Sequence, residues 1–234
     1  QVLNLSETPL CVLNSFDILH FSNFYFGKDT WKLLFVRHPK KILTVHGWVC
    51  KETFYMLKHA KPNLKTTTGA LVGLAFWNVA VLLFDALTCP SRRTADENGL
   101  RNAKIIRNGI FLEDYSHISP TNVRLDQNQV IFTTYSSFGG LKDLTITRVL
   151  RVVERLNQLA EGQRVILLVF GALSRTSNTK WIRFMGYSED FLSFLGGSDL
   201  FIMGYNFPEL GYVMLESAAL GIPVAKFADK NNVD

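Results

Sequence analysis

Nine short runs rich in aliphatic and β-branched residues recur along the chain with helical stretches between them. They are FDILHFS at 16–22, KILTVHG at 41–47, DALTCPS at 85–91, AKIIRNG at 103–109, QVIFTTY at 129–135, RVILLVFG at 164–171, WIRFMG at 181–186, SDLFIMG at 198–204 and IPVAKF at 222–227. Runs that are apolar on both faces and end in glycine or a small polar residue read as buried parallel strands. Their alternation with helices predicts a doubly wound α/β architecture. With 47% hydrophobic and 19% charged residues, the 234-residue chain has the makings of a folded core. Its length suits one large domain or two small ones.

Between two of these runs, TITRVLRVVERLNQL (145–159) sets Ile146, Val149, Leu150, Val153, Leu156 and Leu159 on one stripe, with arginines opposite. That pattern predicts a surface helix packed on a sheet. The segment 70–87 is broken only by Asn78 and Asp85. Its apolar stretch is shorter than the ~20 residues a bilayer span needs, so a buried helix is expected. The polar, Pro120-containing stretch that follows Glu113 has no sustained period and reads as a linker. The organisation expected is a reduced N-terminal domain over 1–115, a linker over 116–128 and a C-terminal domain over 129–234.

Charge divides the chain unevenly. Residues 1–126 hold 15 Lys/Arg against 10 Asp/Glu, and residues 127–234 hold 10 against 10, so the whole excess of +5 lies in the first part. Lys28, Lys32, Arg37, Lys40, Lys41, Lys51, Lys58, Lys61 and Lys65 face only Asp29 and Glu52 there. Such a surface is either ordinary solvated protein or a seat for an anionic membrane. Cys11, Cys50 and Cys89 form no CxxC pair, which favours a reducing cytoplasm over a disulfide framework or zinc site. No basic start followed by an apolar core marks a secretory signal. Metalloprotease, serine-hydrolase and P-loop motifs are absent from the sequence, and nothing points to a nucleic-acid partner.

The most informative segment is FPELGYVMLESAALGIPVA at 207–225. A Pro/Gly loop leads into an apolar helix bearing Glu216, and Gly221-Ile222-Pro223 launches the next strand. In an open parallel sheet the loops at the carboxyl ends of strands form the ligand crevice. A helix N-terminus there offers N–H groups to a phosphate, and a carboxylate beside it accepts hydrogen bonds from sugar or ribose hydroxyls. Gly211, Glu216, Ala218, Ala219, Gly221, Pro223 and Val224 fall on a motif that closely resembles the signature of the large retaining glycosyltransferase family of sucrose synthase, glycogen synthases and mannosyltransferases. WIRFMGYSEDFLSFLGGSDLFIMGY resembles the family's strand, glycine, helix and "ADLFV" stretch. NAKIIRNG resembles its "Ile-x-Asn-Gly" run before the second domain, LTCPS its "Val-Ser" strand end, and KILTVHG a first-domain strand whose terminal His, here His46, faces the cleft.

The resemblance implies two Rossmann-like doubly wound domains facing across a cleft, the GT-B arrangement, with the first domain reduced. It implies transfer of a sugar from a UDP-, GDP- or ADP-linked donor to an acceptor hydroxyl on a lipid or glycan, with retention of configuration and no metal or other cofactor. The donor site would comprise Glu216 on the ribose, Gly139, Gly140 and Lys142 at the diphosphate, and Tyr187, Leu210 and Gly211 beside them. Glu209 near the sugar and His46 in the cleft would serve catalysis. Localisation would be cytoplasmic, with peripheral contact to a membrane.

Two departures stand out. Six residues separate Glu209 from Glu216 where the family has seven, and Pro208 takes the place of the first Glu. Where the family carries an Arg and a Lys in a glycine-rich diphosphate loop, Tyr135 and Gly139 stand, leaving Lys142 and Arg175 as the nearest cations. Relatives also begin with a further strand and glycine-rich loop before the equivalent of Asp17, and continue past the equivalent of Val224. The expectation is therefore either a pared-down version or a fragment, with a catalytically weak or inactive nucleotide-binding module and a basic membrane-surface adaptor as the alternatives to an enzyme.

Overall fold

The computed structural model describes residues 5, 7–22, 32–47, 53, 64–124, 126–136, 141–171, 178–204 and 211–227, for some of them the backbone alone. The chain divides into two compact units, Gln1–Arg107 and Asn108–Asp234. Each is built on a parallel sheet, and each of the nine runs carries a strand.

In the first unit β1 (Ile18–Ser22), β2 (Lys40–Thr44), β3 (Ala86–Cys89) and β4 (Lys104–Ile105) pair in chain order. The short α1 (Leu10–Leu13) precedes them. Helices α2 (Lys32–Phe35), α3 (Leu64–Val81) and α4 (Arg92–Glu97) lie in the connections. A strand order that never turns back, with right-handed crossovers, puts every connecting helix on one face. Leu33 of α2, Trp77 of α3 and Ala95 of α4 accordingly share one core with Leu43, Val45 and Cys89. Among the described residues this sheet is singly wound, not doubly wound as expected.

The most deeply buried residues of its strands, Leu43 and Cys89, correspondingly lie on the helix-bearing face. Leu19 is buried while Ile18, His20 and Ser22 are exposed. On the opposite face, where no described helix packs, a polar row crosses the sheet, from His20 Nε2 to Thr44 Oγ1 (2.7 Å) and from Thr44 Oγ1 to Thr88 Oγ1 (2.6 Å). Helix α3 also departs from expectation. Trp77 is buried and donates its indole N–H to the Asn98 carbonyl (3.2 Å), but Leu71, Val72 and Val79 face solvent. The helix is apolar all round and only one side meets the sheet. No helix among the described residues is long and apolar enough to cross a membrane.

The second unit holds β5 (Gln129–Tyr135), β6 (Arg164–Phe170), β7 (Ile182–Gly186), β8 (Leu200–Met203) and β9 (Val224–Lys226), in the order β7-β6-β5-β8-β9. The chain starts at the centre, runs outward through β6 and β7, and returns to the other side of β5. That is the doubly wound pattern, and its reversal between β5 and β8 is where ligands bind in such sheets. Helix α5 (Leu141–Leu159) lays Ile146, Val149 and Val153 against Val165, Leu167, Val169 and Ile202. Leu156 and Leu159 of the same stripe are exposed, because the helix outruns the sheet. Beside them the Asn157 amide fastens the helix to β6, accepting from Val165 N and donating to Val165 O, both at 2.8 Å. Helices α6 (Phe191–Gly196) and α7 (Tyr212–Ala219) join a cluster with Leu195, Phe201 and Met203. The segment 116–128 belongs to this unit. Thr121 N donates to Ser193 O (2.9 Å), and Arg124 pairs with Asp199, whose second oxygen accepts from Ile131 N (2.8 Å).

Candidate functional site

Three strands of the second sheet end side by side. Ser136 N, just past β5, donates to Phe170 O (2.9 Å), and Gly171 N, just past β6, donates to Gly186 O at the end of β7 (2.8 Å). Beyond these ends lies a pocket of about 220 Å³ lined by Tyr135, Phe170, Gly171, Tyr187, Ser188, Glu189, Phe191, Leu192 and Glu216. Its aromatic base is interlocked: Phe191 stands 5.1 Å from Phe170, edge to face, and 5.8 Å from Tyr135. Pockets for whole ligands run to ~300–1,000 Å³, so this one fits part of a ligand. Among the described residues its lining carries two carboxylates and no lysine or arginine. That suits groups that donate hydrogen bonds, such as sugar hydroxyls, and repels phosphate.

Glu216 is the fifth residue of α7, which starts at Gly211 in extended conformation as its N-cap. A helix dipole acts mainly on the first turn, so it does not account for a carboxylate there. Glu216 is half-buried, and burial holds its carboxyl above the usual range. The opposing influence is a hydrogen bond from the Tyr115 hydroxyl to Glu216 Oε1 at 3.4 Å. Tyr115 closes a 3-10 turn, Leu112–Tyr115, and its own hydroxyl is pushed up by burial and by Glu216, so it remains a donor.

At the carboxyl end of β5 a second feature stands out. Ser136 is 1% exposed, and its Oγ is a buried side-chain atom without a hydrogen-bond partner among the described residues. Buried hydroxyls are seldom left so, and each one asks for a ligand or water.

Of the residues expected at the site, Glu216 and Tyr187 line the same pocket, Tyr187 largely exposed at its mouth, and Gly211 begins the helix that carries Glu216. Lys142 falls in the first turn of α5 with its side chain outside the described residues. Gly139, Gly140, Arg175, Glu209 and Leu210 also lie outside them. His46 is in the first unit, just past β2, half-buried. Burial and neighbouring His20 lower its pKa, so the ring is neutral near pH 7. Sequence reasoning missed Phe170, Gly171, Ser188, Glu189, Phe191 and Leu192. Taking the last residue and the following one of each expected strand would have found Gly171. No local pattern pointed to Tyr115.

No family model matches the chain, and no curated protein matches it. Solved structures do. Anabaena Alr3699/HepE in complex with UDP-glucose superposes on 93% of this chain with a TM-score of 0.62 at 16% identity. Sucrose-phosphate synthase from Thermosynechococcus elongatus covers 91% with a TM-score of 0.60 at 14% identity. The pneumococcal O-GlcNAc transferase GtfA in complex with UDP and GlcNAc covers 93% with a TM-score of 0.58 at 11% identity. At such identities the likeness is one of fold. The chain spans 61%, 56% and 44% of those three chains respectively.

Proposed function

We propose that this chain is the nucleotide-sugar-binding part of a glycosyltransferase that moves a sugar from a nucleotide-diphosphate donor to an acceptor hydroxyl with retention of configuration. The observation that carries this reading is the pocket at the carboxyl ends of β5, β6 and β7, floored by aromatic rings, with the half-buried Glu216 in its lining. Support also comes from fold neighbours crystallised with UDP or UDP-glucose.

The nucleoside occupies the pocket, with ribose hydroxyls donating to Glu216 and the base near Tyr187. The diphosphate lies at the carboxyl end of β5, on the Ser136 hydroxyl, the loop through Gly139 and Gly140, and Lys142. Leu210 and Gly211 border the donor, Glu209 meets the sugar, and neutral His46 of the first unit serves the acceptor. Catalysis is then stabilisation of the departing diphosphate in a held geometry, with no cofactor. The base, whether uracil, guanine or adenine, is to be read from binding. Titration with UDP-, GDP- and ADP-sugars, followed by transfer assays with the one that binds, tests the proposal. Binding without turnover selects an inactive module, and no binding by any of them rejects the reading.

Ser136→Ala separates ligand from fold. Removing a buried hydroxyl that has no partner among the described residues relieves a desolvation cost of ~1–3 kcal/mol, so the ligand-free chain should melt no lower than wild type. Affinity for the nucleotide sugar should nevertheless fall by roughly tenfold, the worth of about one such bond. A variant that melts lower and binds equally well refutes the assignment.

A second reading concerns the first unit, which holds the excess of positive charge. Leu34 and Phe35 of α2 and Leu71 and Val79 of α3 are exposed there, as is Lys40, whose ammonium lies 3.7 Å from Asp85. Apolar side chains beside cations suit an anionic bilayer. Sedimentation with phosphatidylserine vesicles should be salt-sensitive and reduced several-fold by Leu34→Glu/Phe35→Glu. Equal sedimentation with neutral vesicles would remove this reading.

A further inference from the structure

We propose that Tyr115 is the positioning residue for Glu216: its hydroxyl fixes one carboxylate oxygen and leaves the other for a nucleoside hydroxyl. The inference rests on the reading of the pocket as a nucleoside site.

The geometry is specific. Glu216 faces the pocket from α7, and Tyr115 reaches it from the 3-10 turn Leu112–Tyr115, a separation of 101 residues in sequence. A carboxylate with two accepting oxygens on a flexible stem can turn either toward a ligand. A donor on Oε1 removes that freedom before binding, which lowers the entropy lost when a hydroxyl takes Oε2. The 3.4 Å separation is at the long end of the range, and bonds of this kind shorten when a ligand completes the site.

The bond has a second effect. Among the described residues, the groups that face Glu216 are Tyr115 from the turn, with Asp114 beside it, and Tyr135, Tyr187 and Glu189 of the pocket lining. None is a cation, so no ion pair among them keeps Glu216 charged. Burial pushes the carboxyl up, and the Tyr115 hydroxyl is the influence that brings it down. A protonated Glu216 has one accepting oxygen fewer and a hydroxyl of its own to place. Tyr115 thus sets the pH below which the site loses its acceptor.

The test compares wild type, Tyr115→Phe and Glu216→Gln in two measurements. In the first, Glu side chains carry ¹³C at the carboxyl, and the ligand-free proteins are titrated by NMR, Glu216→Gln assigning the resonance. Loss of the bond should raise the Glu216 midpoint by about one pH unit in Tyr115→Phe. In the second, binding of UDP-glucose, GDP-mannose and ADP-glucose is measured from pH 5 to 8.5. The variant should bind the responsive sugar within about threefold of wild type at pH 8.5 and fall progressively further behind wild type as the pH is lowered toward 5. Superimposable Glu216 titrations in wild type and Tyr115→Phe overturn the proposal, even if the variant melts lower. If the midpoint moves but no nucleotide sugar binds any of the proteins, the Tyr115–Glu216 bond stands, while the nucleoside reading fails and takes the positioning role with it.

Discussion

Glu216→Ala is expected to abolish most of the thermal stabilisation that a nucleotide sugar confers on the wild-type chain. Hydrogen bonds from ligand hydroxyls to a charged acceptor are worth roughly 1.5–3 kcal/mol, which is a loss of about 10- to 150-fold in Kd. At a fixed ligand concentration the binding contribution to stability falls with it. The ligand-free variant should melt at or above the wild-type temperature, because a half-buried carboxylate whose pKa lies above its ordinary value is itself a cost to the folded state near neutral pH. The sign follows from linkage. With the folded pKa above the unfolded one, the folded state holds the proton more tightly, so this group favours folding at low pH and that advantage is lost as pH rises through the folded pKa. Donor binding needs the charged form and moves the other way. Acidification should therefore raise the Glu216 contribution to ligand-free stability while reducing the Tm increment given by the donor. Calorimetry with wild type and variant across pH 5 to 8.5 checks both trends, and an unchanged donor increment in Glu216→Ala would sink the site.

Much of this fold is written in local patterns, and the part that is not is a matter of neighbours. Each strand overlaps a run that is legible by itself, and the α5 stripe is visible in the spacing of Ile146, Val149 and Val153. A run does not say which strand it will lie beside. The order β7-β6-β5-β8-β9 follows from the way crossovers stack, and the one-way order of the first sheet leaves a second face on which His20, Thr44 and Thr88 form a polar row beside Ile18 and Ile42. The expectation of strands buried on both faces therefore suits β6, whose residues after Arg164 are all buried, and fails for β1. The pocket shows the same division. Glu216 sits in a recognisable motif, whereas Phe170 and Phe191 read as ordinary core residues until the strand ends are set side by side. Tyr115 lies in a polar stretch with no period, and its partner is 101 residues away.

The close approach of β5 and β6 gives the other large effect. Gly171 has φ +98°, a region that side chains other than glycine's rarely adopt. A Cβ there would lie 2.9 Å from the Ser136 carbonyl carbon, closer still to its oxygen, and 3.3 Å from Tyr135 Cε2. Neither backbone can give way without loss, because Ser136 N is bonded to Phe170 O and Gly171 N to Gly186 O. Gly171→Ala thus adds backbone strain of ~1–3 kcal/mol to a steric penalty of similar size. A total near 3 kcal/mol or more should lower the melting temperature of the second unit by roughly 10 °C. Gly221→Ala is the control: Gly221 also has positive φ, at +73°, but an added Cβ there meets nothing within 4 Å among the described residues. It should cost about 1 kcal/mol, from the backbone alone. Thermal unfolding of the two variants side by side reads the difference. Equal losses would mean that the strand ends are not pressed together at Gly171, and the pocket wall built on that contact would have to be redrawn. A loss confined to Gly171→Ala, together with weakened nucleotide-sugar binding, would tie the close strand approach to the shape of the site.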